Sequence, residues 1–210
     1  VPNRLRQQVA EFQSDPDLAL LGSCADLIDK RGRTFGEIVV NAYSDDQIRT
    51  RIFRENKFIQ SSVMMRAEAV RKLGGYSAEF PVAEDYALWL KFVTNYKVRN
   101  LSAKLVAYRV HESQISSRKL RTMRTVANEV QRCAWDELLA KGRTASVEAP
   151  SFPGLLGKAL GVQGSVGSDY LYWALLYRQM GDIATSRAMV LAGLRYSPLS
   201  MRLIRLLVQF

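Results

Sequence analysis

Apolar segments with strand character alternate with helical ones as far as about residue 117, and beyond that point the strand signal stops. Such alternation needs a sheet covered by helices, so the first part of the chain reads as α/β or α+β. The remainder must be built from helices alone. Leu18 to Ile28 (LALLGSCADLI) reads as a strand, and Asp29-Lys30-Arg31-Gly32 as the turn that ends it. A short apolar strand is expected at Ser62–Met65, and two more at Val98–Leu101 and Leu105–Val110.

Helices fall between these strands. Pro2 suits a first helical turn, Leu5, Val9 and Phe12 share one face behind it, and Asp15-Pro16-Asp17 ends the helix. Ser44 is placed to cap a helix whose first residues, Asp45 and Asp46, suit its positive end. Ala67 to Leu73 forms the next helix, with Gly74 as its left-handed terminator. Another starts near Glu84 and carries Leu88, Trp89, Phe92 and Tyr96 as its buried stripe.

In the second part, residues 119–140 read as a helix and 142–168 as a linker rich in Gly, Ser and Pro. Gly154, Gly157 and Lys158 lack the spacing of a phosphate loop, and Gly161, Gly164 and Gly167 follow no strand, so the linker is no nucleotide cradle. From Asp169 a helical hairpin and a third helix are expected. Tyr177, Gly181, Asp182 and Pro198 resemble the aromatic, turn and terminating proline of one tetratricopeptide repeat, with Ser186 and Gly193 at its usual alanine positions. The resulting organisation is 1–117 as the α/β part, 118–141 as a connecting helix, 142–168 as linker, and 169–210 as hairpin plus amphipathic helix.

Composition narrows the function classes. The 210 residues contain 48% hydrophobic and 24% charged side chains, the balance of a globular protein, and no apolar run nears the roughly 20 residues that span a bilayer. Two cysteines, Cys24 and Cys133, exclude a disulfide framework, and one histidine, His111, excludes a multi-histidine metal site. No signal peptide is visible, and a chain that starts at Val1 inside a polar helix reads as a fragment. The net charge is +10, with 15 basic against 6 acidic residues in 51–125. That surplus favours an anionic partner, whether a nucleotide diphosphate, acidic lipid headgroups or nucleic acid. No RRM, KH or zinc-finger signature is present, so nucleic acid is not the expected partner.

The most informative stretch contains, in order, NKFIQSSVMMR (56–66), LGGYSAEF (73–80), AEDYALWLK (83–91) and YRVHESQISS (108–117). With PNRLRQQVAEF at the start and the GS…ID..G pattern at 22–32, this set resembles the C-terminal, acceptor-side half of family 2 glycosyltransferases, over roughly residues 1–117. The resemblance implies a GT-A, Rossmann-like fold followed here by the all-α extension. It also implies a nucleotide-binding half and a metal-binding DxD motif upstream of Val1, so this chain alone is expected to bind no sugar nucleotide tightly and to be inactive. The implied reaction moves a sugar, with inversion, from a nucleotide-sugar donor to a hydroxyl of a glycan or lipid-linked glycan, with Mg2+ or Mn2+ on the departing diphosphate. The implied setting is bacterial surface polysaccharide assembly, in the cytoplasm or peripherally on the inner face of the plasma membrane.

The resemblance assigns the catalytic base to Asp85, with Glu84 shaping the acceptor site. A carboxylate ionised at neutral pH and held at a helix start can take the acceptor hydroxyl's proton, although two acids there also serve simply to stabilise a helix N-terminus. Ala87 stands where the family usually has a further acid, and Gln60 where His is common. Gly74, Gly75 and Tyr76 form a tight turn under the acceptor site, and Trp89 is placed with them. His111 is assigned to the vicinity of the diphosphate and metal, as a possible ligand, with Ser113, Ser116, Ser117 and Arg118 available to phosphate oxygens. Lys119, Arg121 and Arg124 continue the basic run, either against anionic groups or as a solvated face. The last helix sets Arg202, Arg205 and Gln209 beside Leu203, Leu206, Leu207 and Phe210, and either lies on an anionic membrane or packs on the hairpin. A rival reading from a different class is a non-catalytic helical adaptor that binds through the hairpin.

Overall fold

A computed structural model describes residues 1–143, 149–150, 160 and 165–210. Most of the expected linker, including Gly154, Gly157, Lys158, Gly161 and Gly164, lies outside the described residues. The chain forms two compact units, Val1–Val110 with Glu129–Pro150 and His111–Asn128 with Ser151–Phe210.

The first unit is mixed α/β around a four-stranded sheet. Strand β1 (Leu18–Ile28) is its centre: β4 (Lys97–Arg109) runs parallel along one edge, while β2 (Thr34–Ile38) and β3 (Met64–Met65) pair antiparallel along the other. Four consecutive residues of β1, Leu18 to Leu21, are buried, which requires cover on both faces of the sheet. Gly22 in this strand is dictated by space, because a Cβ there would lie 2.2 Å from Oδ1 of buried Asn100. The Asn100 amide donates to the carbonyls of Ala42 and Lys57 at 3.0 and 2.9 Å, joining β4 to the loops on its flank.

Three local features differ from expectation. β4 is one strand instead of two, since the ladder to β1 passes from Ser23↔Leu101 to Cys24↔Lys104 and the slip absorbs Ser102 and Ala103 without breaking the pairing. β2 was not visible in TFGEI, which has too little apolar alternation; the turn creates it, with the Asp29 carboxylate accepting from the Arg31 and Arg33 N–H groups at 2.8 and 2.9 Å. In α1 (Arg4–Ser14) Leu5 and Val9 are exposed and Gln8 is fully buried instead. Gln8 donates to the Ser62 carbonyl at 2.8 Å and Arg4 to the Val63 carbonyl at 3.2 Å, so α1 docks through polar side chains onto irregular backbone that offers acceptors.

Helix α2 (Asp45–Arg51) opens on a full capping box between Ser44 and Gln47, and Asp45 accepts from the Val98 N–H, fastening the helix to β4. α3 (Ala67–Lys72) leads to the Gly74-Gly75 turn, and α4 (Glu84–Asn95) buries Tyr86 to Leu90, Phe92 and Val93. α6 (Leu120–Ala140) contributes its residues from Glu129 onward to this unit, where Trp135 meets Phe53 edge-on at 5.8 Å.

The second unit is helical: α5 (Ile115–Arg118), the first part of α6, α7 (Val166–Gln179), α8 (Ile183–Tyr196) and α9 (Met201–Val208). α7 begins inside the expected linker because Ser165 accepts from the Ser168 N–H and caps it. α7 and α8 form the expected hairpin, turning at Gly181; Ser186 donates to the Ala174 carbonyl at 2.7 Å, and Tyr170 stacks on Tyr196. α9 packs on the hairpin through Leu203 and Leu206, buried with Ala174 and Val190. Among the described residues, no helix is long and apolar enough to cross a membrane.

Candidate functional site

The acidic pair sits where the chain enters α4. Val82 has φ 66°, a left-handed conformation that is an outlier for a β-branched residue and costs on the order of 1–3 kcal/mol. Ala83 follows as a cap residue without a side-chain acceptor. The exposed N–H groups of the first turn therefore need another partner, and Asp85 Oδ1 accepts from the Tyr86 N–H at 2.7 Å. Asp85 and Glu84 are both half-buried, and among the described residues neither forms an ion pair. Burial pushes the Asp85 carboxyl above the usual Asp range; the Tyr86 N–H pulls it down, and the charge of Glu84 adds to the rise. An unpaired carboxylate with raised proton affinity, part open to solvent, has the character of a proton acceptor.

The Gly-Gly-Tyr turn is tied to this helix. Gly74 and Gly75 take φ 80° and 67°, and the Gly75 N–H reaches back to the Val70 carbonyl, closing α3 in a way that only glycine enters without strain. Tyr76 emerges from the turn about half exposed. Its ring meets Trp89 edge-on, with centroids 6.3 Å apart, and Trp89 lies one helical turn beyond Asp85. Lys91 adds a bond to the Leu73 carbonyl at 3.3 Å. Trp89 itself is fully buried among Phe58, Tyr76 and Phe92, where its ring supports Tyr76 and its indole Nε1 has no hydrogen-bond partner among the described residues.

Tyr86, beside Asp85, donates to the Ile52 carbonyl and accepts from Gln131 Nε2 at 2.9 Å. Gln131 is buried and comes from α6, so a residue far along the chain holds the start of α4 against α2. Sequence reasoning missed Gln131 and Val82, and no motif or spacing marks either. Ala87 is buried and Gln60 exposed, so the two departures from the resembled pattern lie in different environments.

The other expected residues belong to the second unit. His111 Nδ1 lies 2.8 Å from Ser113 Oγ, its N–H donates to Gln114 Oε1 at 3.0 Å, and its carbonyl accepts from Tyr177 at 3.1 Å. The backbone of His111 is thus fixed while its ring stays half-buried. Ser117 is buried, and its hydroxyl donates to the Gln114 carbonyl at 3.2 Å. Ser116 accepts from Gln114 Nε2 at 2.9 Å, and Arg118 is exposed and bonds the Glu112 carbonyl through Nε. Farther along the basic run, Arg124 forms a two-pronged pair with Asp169, and Arg121 lies over the Tyr196 ring, so these two are held internally.

A divalent cation of the Mg2+ or Mn2+ type wants several oxygen ligands. Among the described residues no three His, Cys, Asp or Glu side chains converge, and His111 has only the Ser113 hydroxyl on its ring. The described residues do not by themselves make up a cation site.

No protein-family profile matches the chain. A stretch of 126 residues is 27% identical to an uncharacterized glycosyltransferase of Methanocaldococcus jannaschii, covering 57% of this chain. The chain spans 43% of the length of that relative. The likeness reaches a protein called a glycosyltransferase, without indicating its mechanism, donor or acceptor.

Proposed function

We propose that this chain forms the acceptor-side part of an inverting, family 2 glycosyltransferase of the GT-A type, with the helical hairpin as its extension. The observation that carries the reading is Asp85: a half-buried carboxylate of raised proton affinity, without a cationic partner, one turn from the ring that supports Tyr76. The partial likeness to a glycosyltransferase supports the reaction class.

In this reading the acceptor hydroxyl gives its proton to the Asp85 carboxylate as its oxygen attacks the anomeric carbon of a nucleotide sugar. The new C–O bond forms as the old bond to the diphosphate breaks, and the diphosphate leaves with the bonding electron pair. Glu84 and Tyr76 orient the acceptor, a glycan or lipid-linked glycan. Mg2+ or Mn2+ would neutralise charge on the departing diphosphate, with acidic ligands from outside the described residues.

Transfer from a panel of nucleotide sugars to glycan acceptors, by the protein that carries this chain, tests the proposal. Asp85→Asn should lower turnover by roughly 10²–10⁴-fold while donor binding changes little, the scale of losing a general base. Because the base must be ionised, the acidic limb of the wild-type rate profile should lie above the ordinary Asp range. Asp85→Asn turnover within a few fold of wild type would place the base elsewhere.

A further inference from the structure

α9 separates its side chains into two faces, and the packed one is settled. Leu203 and Leu206 enter the core of the hairpin, and Phe210 lies under the Arg178 guanidinium at 5.7 Å. The residues first expected to enter a membrane are therefore occupied within the protein. The outward face is composed of Met201, Arg202, Arg205 and Val208, with Leu199 just before it. Met201, Arg205 and Val208 follow the i, i+4, i+7 spacing of one helical stripe. Leu199, Met201 and Val208 are 56%, 58% and 83% exposed.

The charge of this part of the chain has one sign. From Ile183 to Phe210 the sequence contains Arg187, Arg195, Arg202 and Arg205 and no acidic residue. Among the described residues neither Arg202 nor Arg205 has an acidic partner. An apolar protein surface would strand these guanidinium groups without compensation. A nucleic acid or acidic peptide would pair with them and leave Leu199, Met201 and Val208 in water. One kind of surface uses both: lipid phosphates accept the planar fork of Arg while short apolar tips enter the boundary just below the headgroups.

We propose that the outward face of α9, with Leu199, docks on an anionic lipid bilayer. The inference stands apart from the transfer reading, since it uses no residue of the Asp85 site. Three shallow apolar contacts give little hold alone, so binding depends on charge and weakens with salt.

Co-sedimentation of the whole chain with vesicles of phosphatidylcholine plus phosphatidylserine, against phosphatidylcholine alone, is the test. Binding is expected with the anionic vesicles only. R202Q/R205Q should weaken it about 25-fold, fivefold for each charge removed near the surface. R202K/R205K should stay within a few fold of wild type, and M201S/V208S should weaken binding at unchanged charge. The control is R6Q/R31Q, which removes the same charge from exposed sites in the first unit and should leave binding within twofold. Thermal melting of each variant checks that the hairpin remains folded. The proposal is overturned by absence of binding to anionic vesicles, by equal losses in R6Q/R31Q and R202Q/R205Q, or by a short RNA duplex that binds as tightly as the vesicles and loses as much in R202Q/R205Q.

Discussion

Ionising Asp85 at neutral pH costs the folded chain stability, because burial holds its carboxyl above the usual Asp range. Below about pH 4, the ordinary Asp value, the group is protonated in both folded and unfolded chains and the cost is absent. As pH rises through the raised folded value, the unfolded chain releases its proton more readily and stability falls. Asn has nearly the same shape and carries no charge at any pH. Asp85→Asn should therefore melt at a higher temperature than wild type at pH 7, with the gap closing toward pH 4, as followed by circular dichroism. A variant that destabilises at pH 7 would mean that the carboxylate serves mainly to hold the helix N-terminus. That the same substitution should remove turnover while adding stability separates a chemical role from a structural one. At this scale the sequence was partly legible: Glu84-Asp85 stood out as paired acids before an apolar helix, whereas the burial of Trp89 depends on Phe58 and Tyr76, which are distant in the chain.

Among the elements, those with strong local signals were legible: β1 from its apolar run, α2 from its cap, α4 from its stripe and the α7–α8 hairpin from its turn. The failures share a cause. α1 turns Gln8 inward because the backbone near Ser62 offers carbonyl acceptors, and β4 stays continuous because its ladder to β1 accommodates extra residues. Neither depends on the periodicity of the segment itself. The turn after α3 shows the opposite case, where a local rule holds. Gly75 adopts φ 67° with open space around it, so the demand is conformational and not steric crowding. Gly75→Ala should destabilise by about 1–2 kcal/mol, the cost of an L-residue in the left-handed region. Gly75→Asn should lose less, because Asn tolerates that region. Urea unfolding checks both, with a lower midpoint and an unchanged slope as the expected result.

At the scale of the whole molecule, charge is divided unequally between the two units. Residues 111–128 and 151–210 hold ten Lys and Arg against three Asp and Glu, so the second unit carries most of the net +10. The first unit is nearer balance and contains attractive networks, including Arg99 with Glu11 and Asp15, and Lys104 with Asp26 and Glu37. Salt screens both kinds of interaction, with opposite consequences. In the second unit it relieves self-repulsion among arginines, whereas in the first it weakens favourable pairs. Hydrogen exchange, read peptide by peptide at low and at near-physiological ionic strength, separates the two responses. Protection in α7 and α8 should rise with salt, while that in β1 and β4 should hold or fall slightly. An equal rise in both units would mean that the excess positive charge acts on the chain as one body instead of within the helical unit.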